Sequence, residues 1–130
     1  MDKEEINMQF STQKKPILLQ GSFYKDIQFS EKSVVISPIL DSSTSKEIRI
    51  AFKEGQSMKA HKTKFPITVM TLRGSIEFTL GKETYILDAG DIIALEGNIV
   101  HALYAKEESI VKLSLHKEDT VKRVEKVLED

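Results

Sequence analysis

Between Val34 and His116 the chain is written in short runs where apolar and β-branched residues cluster or alternate with polar ones. Val34-Val35-Ile36 and Ile48-Arg49-Ile50-Ala51-Phe52 come first, and Ile67 to Leu72, Ser75 to Leu80 and Thr84 to Leu87 follow. Asp91 to Leu95, Val100 to Ala105 and Ser109 to Leu115 complete the series. A period of two predicts strands, since successive strand side chains point to opposite faces. The joints agree. Leu80-Gly81-Lys82-Glu83 puts two residues between strands with glycine first, the pattern of a type II′ hairpin. Arg73-Gly74, Asp88-Ala89-Gly90-Asp91 and Glu96-Gly97-Asn98 are further turn signals. Many short strands at spacings of roughly 8–12 residues predict an all-β sandwich or barrel.

The flanks follow other rules. Residues 1–20 are polar until Pro16-Ile17-Leu18-Leu19, and Gly21-Ser22 then punctuates the chain. This predicts an N-terminal arm over 1–20, extended or helical, ahead of a barrel over 21–117. From Glu118 onward Val121, Val124, Val127 and Leu128 recur at helical spacing, with Asp119 or Thr120 available as N-cap. A short C-terminal helix over 118–130 is expected, its apolar stripe laid on the barrel or on a partner subunit and its charged face in solvent.

Composition narrows the function classes. A chain of 130 residues suits one domain with one core, and 40% hydrophobic with 30% charged residues is ordinary for a globular protein. No apolar run approaches the roughly 18–20 residues that span a bilayer, so no membrane partner is expected. Met1-Asp2-Lys3-Glu4-Glu5-Ile6 has no apolar core of a secretory leader, and cysteine is absent, so a cytoplasmic address is expected. Nineteen basic and twenty acidic residues give a formal charge of −1. Lys59, Lys62 and Lys64 are the nearest thing to a basic cluster and read as a solvated strand face, so no nucleic-acid partner is expected. The glycines are scattered through turns rather than grouped into a phosphate loop, and no nucleophile motif accompanies the histidines.

Only three histidines carry candidate chemistry. On strand parity, His61 shares a face with Thr63 and Phe65, and His101 shares one with Leu103 and Ala105. His116 falls with Lys112 and Ser114, opposite Val111, Leu113 and Leu115, and reads as a surface histidine at a strand end. Arg49 and Arg73 read as surface or turn arginines that would equally well meet an anion, and Met58 and Met70 as apolar filler.

Gly55, five residues, His61 and later Gly74 have the frame of the first cupin motif, which runs glycine, five residues, His-x-His, three or four residues, glutamate, six residues, glycine. Gly90, Glu96-Gly97-Asn98 and His101 have the frame of the second, glycine, five residues, Pro-x-Gly, two residues, histidine. The chain therefore resembles the cupin superfamily, which implies a double-stranded β-helix (jelly-roll) barrel and a divalent metal held by three histidines and a glutamate. Residue by residue, the first and last ligands fall on His61 and His101, the second histidine on Thr63 and the glutamate on Ile67. The proline and glycine of the second motif fall on Glu96 and Asn98.

Two neutral imidazoles supply neither full coordination nor compensating charge. A divalent ion here would be nickel, zinc or copper rather than iron or manganese, because imidazole suits the former. The expected function is a small-molecule (metabolite) binding cupin with His61, Thr63 and His101 toward the ligand and His61 and His101 as the metal pair. The alternative is a metal-dependent cupin enzyme, an isomerase or oxygenase with a reduced ligand set, whose catalytic residues the sequence does not name. The resemblance also implies a homodimer, paired through sheet and arm contacts.

Overall fold

A computed structural model describes residues 17–117. Residues 1–16 of the arm expected over 1–20, and the helix expected over 118–130, lie outside the described residues, while residues 17–20 form neither helix nor strand. Nine strands run through the rest: β1 (Val35–Asp41), β2 (Ser45–Phe52), β3 (Ser57–His61), β4 (Ile67–Arg73), β5 (Ser75–Leu80), β6 (Glu83–Asp88), β7 (Ile92–Leu95), β8 (His101–Ala105) and β9 (Ser109–His116). They form two antiparallel sheets, ordered β1-β2-β9-β4-β7 and β3-β8-β5-β6. Eight of the nine coincide with runs read from the sequence, and β3 is the addition. No helix occurs among the described residues, and none is long and apolar enough to cross a membrane.

The interior follows from parity. Ile48, Ile50 and Phe52 of β2, Ile67 and Val69 of β4, Ile76 and Phe78 of β5, and Leu103 and Ala105 of β8 all point between the sheets into one core cluster. Each large apolar side chain removed from water stabilises the fold by about 1.5–3 kcal/mol. The predicted hairpin is present, with Leu80 paired to Glu83 and Gly81 at φ 58°. That left-handed value is the one a type II′ turn asks of its first central residue, and glycine reaches it without a steric penalty.

The two ends of the sandwich are distinct. Strands β1, β3, β7 and β8, followed in chain direction with their antiparallel partners, place the connections at 53–56, 89–91 and 105–109 at one end. The connections at 42–44, 62–66 and 96–100, with the C-terminal end of β9, lie at the other. The first is called the closed end below and the second the mouth.

Residues 21–34 are not barrel strands but a strap across the outer face of the five-stranded sheet. Arg49, expected at the surface, is only 6% exposed under this strap. Its guanidinium donates to the carbonyls of Lys25 (2.9 Å) and Asp26 (3.3 Å), with those of Ser22 and Phe23 slightly farther. A planar fork of donors meets several carbonyls at once, which is why arginine rather than lysine serves here. Lys112 stands over the Phe23 ring and Arg73 over the Phe29 ring, each at 5.8 Å. Gln56 donates to Ser30 O at 2.6 Å, and Lys53 pairs with Glu31, so the strap is fastened along its length. Arg73 is otherwise the turn arginine expected, exposed and paired with Glu108.

Candidate functional site

His61 ends β3 and His101 begins β8, and the two are cross-strand partners at the mouth end of the four-stranded sheet. Their rings lie 4.4 Å apart, centroid to centroid, tilted by 59°. The pairing depends on an irregularity. Met58 opposes Leu103 and His61 opposes His101, so Lys59 and Ala60 together face the single residue Ala102. Such a bulge changes the parity of the strand. Met58 and His61, three residues apart, consequently both line the same interior cavity. Without the extra residue the two would face opposite sides of the sheet.

Local chemistry sets the state of both rings. Nδ1 of His61 lies 2.7 Å from Lys59 O, and Nδ1 of His101 lies 2.9 Å from Ile99 O. A carbonyl only accepts, so each Nδ1 carries a proton, and in the neutral form of either ring the lone pair is on Nε2. His101 is 3% exposed, and Phe78 stacks on it at 5.5 Å and 11°. Burial holds its pKa below the ordinary histidine value of 6.5; the bond to Ile99 O opposes that shift, and the nearby His61 adds to it. A neutral ring with a free Nε2 is the form that coordinates a metal or accepts a hydrogen bond.

The two motif loops that carry the pair are tied together. Asn98 N donates to Thr63 O at 2.7 Å. A Cβ on Gly97 would come within 2.3 Å of Lys64 O, so only glycine permits this close approach. Asn98 takes φ 64° at the position where the cupin motif has glycine. Asparagine is among the few residues that enter the left-handed region readily, which is how the motif geometry survives the change of residue.

The cavity beside the pair is small. Its volume is about 20 Å³, and Ile50, Val69, Leu103, Val111 and Leu113 complete its wall. That is room for one water or one ion. Among the described residues no group of three His, Asp or Glu side chains is placed to hold a metal. Ile67, at the position of the family's glutamate, is 2% exposed and belongs to the core.

The donor set thus fits an ion content with two imidazoles and otherwise open positions, such as nickel, zinc or copper. It does not fit a hard ion that needs oxygen ligands and compensating negative charge. When held there, such an ion would act as a Lewis acid toward a ligand group, with Nε2 of His61 and His101 as its protein ligands.

Thr63 is not brought to the pair. Strand β3 ends at His61, so the alternation that would set Thr63 on the same face lapses one residue later. Its hydroxyl donates to Phe65 O at 3.0 Å, and the residue lines a separate groove above the cavity. His116 is exposed, as expected of a strand-end histidine, and lines that groove too. Lys59, Lys62 and Lys64 are exposed, although the last two stand in a loop rather than on a strand. Sequence reasoning missed Phe78 as a neighbour of His101 and read Met58 only as filler. The parity of β5 marks Phe78 as inward, but nothing in the sequence sets its height against His101.

A family model described as a cupin domain matches residues 48–116, just over half of the 130-residue chain, and the chain belongs to this family. The fold agrees with solved cupins. An RmlC-like cupin protein from Desulfovibrio desulfuricans superposes with a TM-score of 0.71 at 17% identity, covering 77% of this chain and 97% of that one. A cupin superfamily protein from Desulfitobacterium hafniense gives 0.65 at 16% identity, covering 71% and 84%. KdgF from a Halomonas species gives 0.60 at 18% identity, covering 72% and 90%. Among curated proteins none matches the sequence.

Proposed function

We propose that this chain is a small-molecule-binding cupin whose ligand site has the His61–His101 pair at its inner end. The observation that carries the reading is the common state of the two rings. Each donates its Nδ1–H to a backbone carbonyl, which leaves Nε2 as the free nitrogen of the ring, and both rings line one small cavity. Neither Nε2 has a hydrogen-bond partner among the described residues, so an incoming cation or hydrogen-bond donor is the natural partner of the neutral rings. Nickel, zinc or copper is the ion we assign to the pair, held loosely and with positions left open for a ligand.

The test is metal analysis of the purified protein, followed by thermal shift with nickel, zinc, copper, iron and manganese. Nickel, zinc or copper should raise Tm, and His61→Ala and His101→Ala should each abolish the rise. No response to any of the three ions would remove the metal from the reading. Variants indistinguishable from wild type across a metabolite panel as well would remove the pair itself.

We also infer a homodimer. Ile17 and Leu18 are 86% and 88% exposed ahead of the strap, and Ile36 is exposed on β1, an edge strand. Apolar side chains beside an unpaired strand edge suit burial against a second copy. Light scattering at micromolar concentration should give twice the chain mass, and a monomer would contradict the inference.

A further inference from the structure

At the mouth lies a groove of about 340 Å³. It shares no lining residue with the histidine cavity, but β9 and β2 run from one to the other. Val111 and Leu113 of β9 line the cavity, and Leu115, two residues on and on the same face, lines the groove. One such step is about 7 Å along a strand. On β2 the inward series Phe52, Ile50, Ile48 continues to Lys46, which also lines the groove. A lysine thus takes the last inward position of a strand whose other inward positions are all apolar.

The groove has an apolar floor and a basic rim. Phe65 and Leu115 form the floor, and the Nζ of Lys64 lies over the Phe65 ring at 5.4 Å. Lys46, Lys64 and Lys117 supply three positive charges, with the exposed His116 beside them. No acidic residue lines the groove among the described residues. Asp41 is bound to Lys117, and its acidity is strengthened first by that lysine and last by Lys46. Lys117 is therefore largely answered, while Lys64 has no salt-bridge partner among the described residues and Lys46 feels Asp41 only at a distance.

We propose that the ligand of this barrel is a small organic anion, a carboxylate or phosphate ester on an apolar or aromatic body. Lys46 and Lys64 take its charge at the mouth, and its body lies on Phe65 and Leu115. The inference deepens the reading of the histidine cavity as the inner end of a ligand site, and it rests on that reading. Charge complementarity and the apolar floor both select this class. A neutral body would leave the lysines idle, and an inorganic anion would leave the floor in water. The volume accepts a two-ring body and falls at the low end of ordinary small-molecule sites, roughly 300–1,000 Å³.

Calorimetry on the full chain, in chelator and at 50 mM and 300 mM NaCl, tests it with three naphthalene probes and inorganic phosphate. 2-Naphthyl phosphate and 1-naphthoate should bind at least tenfold more tightly than neutral 2-naphthol and at least tenfold more tightly than phosphate. Lys46→Gln and Lys64→Gln should each weaken the anionic probes fivefold or more while Tm stays within 2 °C of wild type. Higher salt should weaken the anions and leave naphthol unchanged. Equal affinity for naphthol and the anions overturns the proposal, as does indifference to both lysine substitutions. Failure of every probe overturns it too, including the case in which another part of the chain fills the groove. A separate titration with nickel, zinc or copper and no probe reads the histidine pair. Lysine-dependent anion binding without a metal response would retire the metal and keep this proposal, and the reverse result would do the opposite.

Discussion

The two ends of this barrel are built from the same strands and treat polar groups in opposite ways. Toward the closed end Phe52, Ile76, Ala105, Ser109, Ile110 and Val111 have no exposed surface at all, and Ser109 turns its hydroxyl onto backbone carbonyls. Toward the mouth the seal loosens, with Ile48 and Leu95 each 8% exposed. There the inward positions go to His61, His101 and finally Lys46. The difference teaches where stability and function separate. The closed half supplies the burial that holds the sheets together, and its surplus lets the mouth carry a lysine and two imidazole nitrogens that have no hydrogen-bond partner among the described residues. A cavity of about 20 Å³ between the two regimes marks the boundary.

The largest expected effect comes from removing the side chain that joins the two regions. Phe78 has no exposed surface and stacks on His101. Phe78→Ala should destabilise the fold by about 3–5 kcal/mol, as burial is lost and a cavity is left. Urea unfolding measures that cost. Phe78→Leu should cost less and keep the fold while removing the ring that orients His101, so its metal-induced Tm shift should shrink. An unchanged shift in Phe78→Leu would mean that the histidine is set by its backbone bond alone.

The contrast between the ends also explains what the sequence made legible. Period-two patterning disclosed eight strands, and a glycine-first pair disclosed the hairpin, because those features are local. Strand β3 was not visible. Ser57-Met58-Lys59-Ala60-His61 has no alternation, since its bulge interrupts the period and it lies at a sheet edge with most residues exposed. The inward aim of His101 followed from parity with Leu103 and Ala105, whereas Thr63, two residues past the end of β3, lines the groove and not the cavity of the pair. The burial of Arg49 under the strap is not legible for another reason. A guanidinium satisfied by backbone carbonyls leaves no partner residue type for the sequence to reveal. Lys46 was within reach, two positions before Ile48 on the same face, had β2 been read that far toward its start.

A smaller effect separates the mouth from the rest. Gly97→Ala drives a Cβ against Lys64 O, and the loops of residues 62–66 and 96–100 must move apart. Overpacking of this kind costs about 1–3 kcal/mol. Its mark should be selective: the metal response and the anion preference fall several-fold while the closed half stays intact. Hydrogen exchange reads this directly. Amides of Ile76, Phe78 and Ile110 should keep their protection relative to global stability, and those at Asn98 and His101 should lose it. Uniform loss would show that the two ends unfold as one unit and would break the comparison.

The closed end has one flaw, and correcting it should act in the opposite direction. The Thr71 hydroxyl is fully buried and has no hydrogen-bond partner among the described residues. Leaving such a group unsatisfied costs about 1–3 kcal/mol, and a methyl of similar shape does not incur that cost. Thr71→Val should therefore raise stability by about 1 kcal/mol with no change at the mouth. A loss of stability in urea would mean that the hydroxyl has a partner in solution, such as a buried water.

The smallest effect is a pH dependence confined to the mouth. Burial first of all, with His61 adding to it, holds His101 below 6.5 in the folded protein, so folding favours its neutral form. As pH falls through 6.5 the unfolded chain takes up a proton that the folded chain still refuses, and stability is lost. The contribution is fully present above the unfolded value and disappears between 6.5 and the lower folded value. Unfolding free energies at pH 7.5 and 5.5 should differ less in His101→Gln than in wild type, while Thr71→Val shifts both by the same amount. Metal binding should weaken only as pH falls through that lower folded value, because a protonated Nε2 has no lone pair to give. A slope equal in wild type and His101→Gln would place the titration elsewhere in the molecule and deprive the mouth of its distinct chemistry.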